Sequence, residues 1–295
     1  MIHARHQHTI ASECELSGIG YWSAKRVSVV MHPAPVNTGI VLVRSDLPSR
    51  PTCLAHVSNR TDARLRTNLN DGAASFEMIE HLLAALYALE IDNCLVEIDS
   101  WELPGLDGSS QPYVDVLSRA GLIIQAQLKQ RLVIDQVITL REGDTWITAS
   151  PSANGESHFA YQLAFDKAGP ICNQSHGMNC SPGQFTRELC DARTFVTEQQ
   201  AQQLHASGVA NHVGYHELLV FGDEGPIDNE LRYRNECARH KTLDLIGDLA
   251  LVGVELIGKF VSHRGGHHLN GKMAKALWDL AAQTRSAPAL LRKRA

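Results

Sequence analysis

The chain has 295 residues, 44% of them apolar and 20% charged, with 22 Gly and 11 Pro, which excludes disordered, collagen-like and low-complexity classes and allows two domains. A formal net charge of -5 lacks the basic footprint of a nucleic-acid-binding protein. The first twenty residues hold no signal-like apolar stretch and no run of about 18 apolar residues occurs, so a cytoplasmic protein without an integral membrane segment is expected.

In chain order, residues 27–31 and 39–43 read as strands separated by Pro33-Ala34-Pro35-Val36-Asn37, which predicts a hairpin. Ser75 is a candidate cap for a helix over 77–86, where Met78, Ile79, Leu82, Leu83 and Leu86 recur at helical spacing and predict one buried face. A short strand over 94–98, a loop over 104–108 and a helix over 112–120 follow. The polar run 125–130 marks a boundary, so domains over 1–126 and 131–295 are expected. Beyond it, strands are predicted over 131–140, 145–149 and 160–165, a helix over 235–252 and a strand over 254–261. Each half thus has strands, a helix bearing His and carboxylates, then another strand.

Fifteen His are the one compositional excess. His240, Asp244 and Asp248 fall at i, i+4 and i+8, about 40° apart per step around a helix, so they form one stripe. His240 and Asp244 can grip one metal, although an isolated H-x-x-x-D is more commonly an ion-paired solvated face. Glu80 and His81 are adjacent, about 100° apart, so one can bind a metal while the other stands beside it as a base; alone they read as a surface pair. Gly265-Gly266-His267-His268-Leu269-Asn270 predicts a tight loop presenting His267. Together these supply two His and an Asp as ligands, with a neighbouring Glu and a further His, which suits a catalytic zinc whose fourth position is open.

Other features have blander readings. His212 and His216 flank Gly214 and do not complete H-E-x-x-H. His3, His6 and His8 read as a solvated terminus and Arg292-Lys293-Arg294 as a basic tail. Gly18-Ile19-Gly20 is too short, and lacks the preceding strand, for a dinucleotide fingerprint. The seven Cys are scattered, never spaced C-x-x-C, and are expected to be reduced thiols.

The first half carries Pro33-Ala34-Pro35-Val36-Asn37-Thr38-Gly39, Ile79-Glu80-His81-Leu82-Leu83-Ala84-Ala85-Leu86, Ile91-Asp92-Asn93, and Glu102-Leu103-Pro104 with Asp107-Gly108-Ser109. The second carries Ala192-Arg193-Thr194-Phe195, Arg239-His240-Lys241-Thr242-Leu243-Asp244 with Ile246-Gly247-Asp248-Leu249, and Gly266-His267 with Leu269-Asn270. By these motifs the chain resembles, from about Gln7 to Leu277, the UDP-3-O-acyl-N-acetylglucosamine deacetylases, zinc amidases of lipid A biosynthesis. The resemblance implies an α+β fold of two similar domains with helices sandwiched between two sheets, the active site at the domain interface, and an acyl passage built from an insert around 193–222. It further implies His81, His240 and Asp244 as zinc ligands, with iron(II) also acceptable to such a set, and Glu80 as the base that activates water. His267 is implied to protonate the leaving amine or steady the oxyanion, Asp248 to orient it, Thr194 to donate to the oxyanion, and Lys241 and Phe195 to bind substrate.

The implied reaction is hydrolysis of the N-acetyl amide of an acylated UDP-sugar, releasing acetate, by a protein expected to be monomeric. The rivals are a deacetylase of another acetylated amino sugar and a non-catalytic sugar-nucleotide or acyl-binding regulator, against which Glu80 and His267 speak. Tyr21-Trp22-Ser23-Ala24 stands where the family usually has Leu-His-Ser/Thr-Gly. Asn211-His212-Val213-Gly214-Tyr215-His216 replaces a Gly-Gly-Ser stretch, and Gly271 replaces a polar residue. A substrate preference shifted in the acyl or nucleotide part is therefore expected.

Overall fold

The computed structural model describes residues 4–164, 171–208, 210–215 and 217–286. It is an α+β structure with two larger sheets, one from each half of the chain. The first sheet has the order Cys14–Ile19, Arg26–Pro33, Cys94–Ile98, Ile40–Arg44, Thr52–Leu54. Cys94–Ile98 runs antiparallel to Arg26–Pro33 and parallel to Ile40–Arg44, so the hairpin expected between 27–31 and 39–43 does not form. The late strand takes the centre because Cys94, Val96 and Ile98 are completely buried there, which no edge position would allow. A strand, Cys14–Ile19, does precede Gly20, contrary to expectation; it enters a turn and a second strand instead of a nucleotide-binding helix.

Helix α1 spans Glu80–Ala88, later than predicted, and no side chain caps it. Ser75 lies instead in strand Ala74–Glu77, which pairs with Asn68–Asp71. Met78, at φ 60°, makes the sharp change of direction between that strand and α1. Helix α2, Gln111–Ala120, leads into strand Leu122–Leu128, which pairs with His6–Ile10. The expected boundary is thus partly strand, because Gln125 uses its amide inside the fold, bonding Asn93 at 2.7 Å and the Ala34 carbonyl at 2.8 Å. His6 and His8 are strand residues bonded to carbonyls of Gln125 and Glu90, not a solvated end. His3, Phe165, His216 and the basic tail 292–294 lie outside the described residues.

The second sheet has the order Ile138–Glu142, Thr145–Ser150, Glu255–His263, Ser157–Leu163, Gln174–Asn179, with Arg131–Val133 also beside Glu255–His263. The strand expected over 131–140 is therefore two strands with different partners. Helix α3, Pro182–Glu188, precedes the segment 193–222, which forms a strand Phe195–Thr197, helix α4 Glu198–Ala206 and a parallel strand Leu219–Gly222. Helix α5 spans Glu236–Ala250 and α6 spans His267–Ser286. The loop expected around His267 is the start of α6, anchored by buried Leu269, Met273, Ala274 and Leu277 at helical spacing.

Helices α1 and α5 pack on each other between the sheets, and one apolar core joins Val29 and Val96 of the first sheet, Leu82 and Leu86 of α1, Leu245 and Leu249 of α5, and Phe159 and Phe260 of the second sheet. The approach requires Gly247, where a Cβ would sit 2.1 Å from the Glu80 carbonyl oxygen. All seven cysteines are unpaired. Among the described residues no helix is long and apolar enough to cross a membrane.

Candidate active site and metal centre

The close crossing of α1 and α5 brings His81, in the first turn of α1, against His240 and Asp244, one turn apart on α5. His81 Nε2 and His240 Nε2 lie 3.6 and 3.4 Å from Asp244 Oδ1. All three residues are buried, and their ligand atoms lie within 4.8 Å of one another.

The set fits a cation. His240 Nδ1 is 3.1 Å from the Ala192 carbonyl, which only accepts, so Nδ1 carries the proton and Nε2 offers its lone pair to the cluster. Lys241 Nζ donates to Asp244 Oδ2 at 2.6 Å, whereas Asp244 Oδ1 is buried without a hydrogen-bond partner. Such an orphaned oxygen, 3.4 Å from the lone pair of His240 Nε2, is unfavourable unless a cation stands between them. Tetrahedral bonds of about 2.0–2.1 Å place ligand atoms roughly 3.3 Å apart, close to the 3.4 and 3.6 Å seen. Burial lowers His240 to about 4 against the opposing Asp244 charge, which keeps the ring neutral and able to ligate. Burial works against the Asp244 charge, but His240 and Lys241 outweigh it and hold that carboxyl well below its usual range.

Acid–base groups flank the cluster. Glu80 is 3% exposed, and burial raises its pKa against the opposing His267 and His81. Its Oε2 accepts the Thr67 backbone N–H at 3.0 Å. His267 Nδ1 lies 3.0 Å from Asp248 Oδ2, and its Nε2 lies 3.8 Å from Asp244 Oδ2. Burial alone would lower His267, yet the charge and hydrogen bond of Asp248 hold it at about 9. Asp248 is fully buried and also accepts from the Thr67 hydroxyl and, at 2.9 Å, from Asn270 Nδ2.

A cavity of about 810 Å³ opens over these groups, lined by Glu80, His81, His240, Lys241, Asp244 and His267, with Thr194 and Phe195 beside them. It continues along Val196, Leu204, Val213 and Leu218 of the 193–222 segment. The Phe195 ring meets His240 edge-on, with centroids 6.2 Å apart. The Thr194 hydroxyl donates to the Gly108 carbonyl at 2.9 Å, so it must turn from that carbonyl to serve another acceptor. The predicted site residues thus gather at one cavity, with Asp248 behind His267. His212 stands apart, its Nε2 donating to the Gly20 carbonyl at 2.8 Å.

Sequence reasoning missed three residues. Thr67 is fully buried and touches both the Glu80 and Asp248 carboxylates, but a lone Thr in the polar run Arg64-Leu65-Arg66-Thr67 gives no local signal. Arg193 Nε donates to the fully buried Glu236 carboxylate at 2.8 Å, fixing the segment that presents the Ala192 carbonyl to His240. The only hint was the position of Arg193 beside Thr194.

Residues 7–279 match the family described as UDP-3-O-acyl N-acetylglycosamine deacetylase. A UDP-3-O-acyl-N-acetylglucosamine deacetylase of Brucella ovis is 37% identical over 275 residues, covering 92% of this chain and 95% of that protein. Those of Citrifermentans bemidjiense and Syntrophus aciditrophicus are 36% and 33% identical, each over 92% of this chain and over 88% and 86% of their own lengths. A family match over most of the chain, with relatives at this identity, shows that the chain belongs to the UDP-3-O-acyl N-acetylglycosamine deacetylase family.

Proposed function

We propose that this protein hydrolyses the N-acetyl amide of UDP-3-O-acyl-N-acetylglucosamine, releasing acetate at an early committed step of lipid A biosynthesis. The observation that carries the reading is the buried, unpartnered Asp244 Oδ1 between two imidazole nitrogens, with buried Glu80 alongside. His81, His240 and Asp244 hold one divalent cation, zinc by ligand type, with iron(II) acceptable to the same donors. When bound, the cation supplies Lewis-acid polarisation of the amide carbonyl and lowers the pKa of water.

The chain's own groups do the rest. Glu80 takes a proton from the attacking water as the new C–O bond forms. Thr194, rotated from Gly108, donates to the developing oxyanion. His267, kept protonated by Asp248, delivers its Nε2 proton to nitrogen as the C–N bond breaks, and after acetate leaves Glu80 gives up its proton to solvent while His267 takes one back from it. Lys241 and Phe195 bind the substrate beside this centre. Two domains, 1–126 and 131–295, with an insert around 193–222 as acyl passage, form a monomer working in the cytoplasm.

Purified, metal-replete protein should release acetate from the acylated UDP-sugar, lose this activity on chelation and regain it with zinc. Absence of acetate release from the metal-replete protein would contradict the proposal.

A further inference from the structure

Gly271, which stands where the family usually has a polar residue, lies one turn beyond His267 in α6. The Arg60 guanidinium occupies the space of the missing side chain, since a Cβ on Gly271 would sit 2.2 Å from Arg60 Nε and 2.3 Å from Cζ. Arg60 belongs to the other half of the chain, in strand Arg60–Thr61, where it pairs with Leu69. Its Nη2 donates to the His267 backbone carbonyl at 2.9 Å, and its Nη1 donates to Asp62 Oδ1 at 2.8 Å. The same Asp62 oxygen lies 3.0 Å from His268 Nδ1, so both residues that open α6 are held from the first half.

A helix N-terminus repels cations. The Arg60 side chain is nonetheless only 9% exposed against the first turn of α6, so its place is set by these charge-assisted hydrogen bonds and not by the helix dipole. The grip bears on the acid–base pair, because Glu80 stands on α1 in the first half, His267 on α6 in the second, and both must face one amide. The His267 imidazole is oriented by Asp248, with the Thr67 hydroxyl 3.2 Å from Nδ1, but those contacts leave its backbone free to shift. Arg60 removes that freedom. A shift of about 1 Å in a reacting group can cost about 10² in rate.

We propose that Arg60 is a positioning residue that holds the His267 backbone from the first half of the chain, and so places the imidazole Nε2 for proton delivery to the leaving amine. This rests on the hydrolase reading given above. Gly271 is the space that the grip requires.

The test is steady-state acetate release by the metal-loaded parent and four variants: Arg60→Ala, Arg60→Met, Gly271→Ala and the Arg60→Ala/Gly271→Ala pair. Met keeps the packing of the Arg stem and removes only the donors, so a parent-like melting temperature in that variant separates lost positioning from lost folding. The expected result is a fall of about 10- to 100-fold in kcat for each variant, with KM and metal content unchanged. Guanidinium chloride, far below denaturing concentration, should restore Arg60→Ala but not the pair, whose added methyl fills the vacated space. In a His267→Gln background Arg60→Ala should cost nothing further, because the group it positions is already gone. Parent-like kcat in Arg60→Ala, or the full loss repeated in the His267→Gln background, would overturn the proposal while leaving the hydrolase reading intact. A metal-loaded parent that releases no acetate overturns that reading and this one with it.

Discussion

Thr67 gives the acid–base groups of the site a common support, since its backbone N–H holds Glu80 and its hydroxyl holds Asp248 behind His267. Thr67→Val keeps the first contact and loses the second, so kcat should fall about 10- to 100-fold with bound metal unchanged, and Thr67→Ser should restore it. Steady-state kinetics with metal analysis decides; parent-like kcat in the Val variant would remove the hydroxyl from the account. His267 must be protonated to donate, and its folded pKa is raised to about 9. Activity is therefore present below that value and is lost as pH rises through it, or lower where a bound cation pulls it down. Burial raises Glu80, which must be deprotonated, while a bound cation lowers it, so activity is lost on the acid side as Glu80 takes up its proton. His267→Gln should abolish the alkaline limb, and a kcat/KM profile with that limb intact would exclude this His as the titrating acid. Ala24 sits at φ 56°, a conformation that suits glycine. Ala24→Gly should stabilise the protein by about 0.5 to 1 kcal/mol after the entropic cost of glycine, read as a higher urea midpoint.

At the level of elements, the α1–α5 crossing decides whether the ligands meet. A methyl at Gly247 would strike the Glu80 backbone, so Gly247→Ala should cost about 1 to 3 kcal/mol and also weaken metal binding, because separating the helices separates His81 from Asp244. A denaturant melt and a metal titration check both effects together. Legibility in the sequence also varied by element. Helix α5 could be read because its apolar spacing and its His240–Asp244 stripe belong to one local pattern. The hairpin expectation failed because the partner of Arg26–Pro33 lies some sixty residues downstream in Cys94–Ile98, a pairing set by burial and invisible to local turn signals. Helix α6 was hidden by Gly265-Gly266, which drew attention to a loop and away from Leu269, Met273 and Leu277.

At the scale of the whole molecule, the proposed ligand set joins the two halves, with His81 contributed by one and His240 and Asp244 by the other. That these three residues could share one cation was readable from motifs, while Thr67 and the Arg193–Glu236 pair depend on long-range packing and were not. A metal that binds only the folded chain stabilises it in proportion to RT ln(1 + [L]/Kd), so chelation should lower the melting temperature and added zinc restore it. The same treatment of His240→Ala should leave its melting temperature unmoved; an equal shift would place the metal elsewhere. The central claim is that this centre hydrolyses an acetamide with Glu80 as its base, and the most direct test is acetate release from UDP-3-O-acyl-N-acetylglucosamine by metal-loaded Glu80→Gln beside the parent. The account predicts steady release by the parent and a loss of about 10²- to 10⁴-fold in a variant that keeps its full metal content; parent-like release by that variant would contradict it.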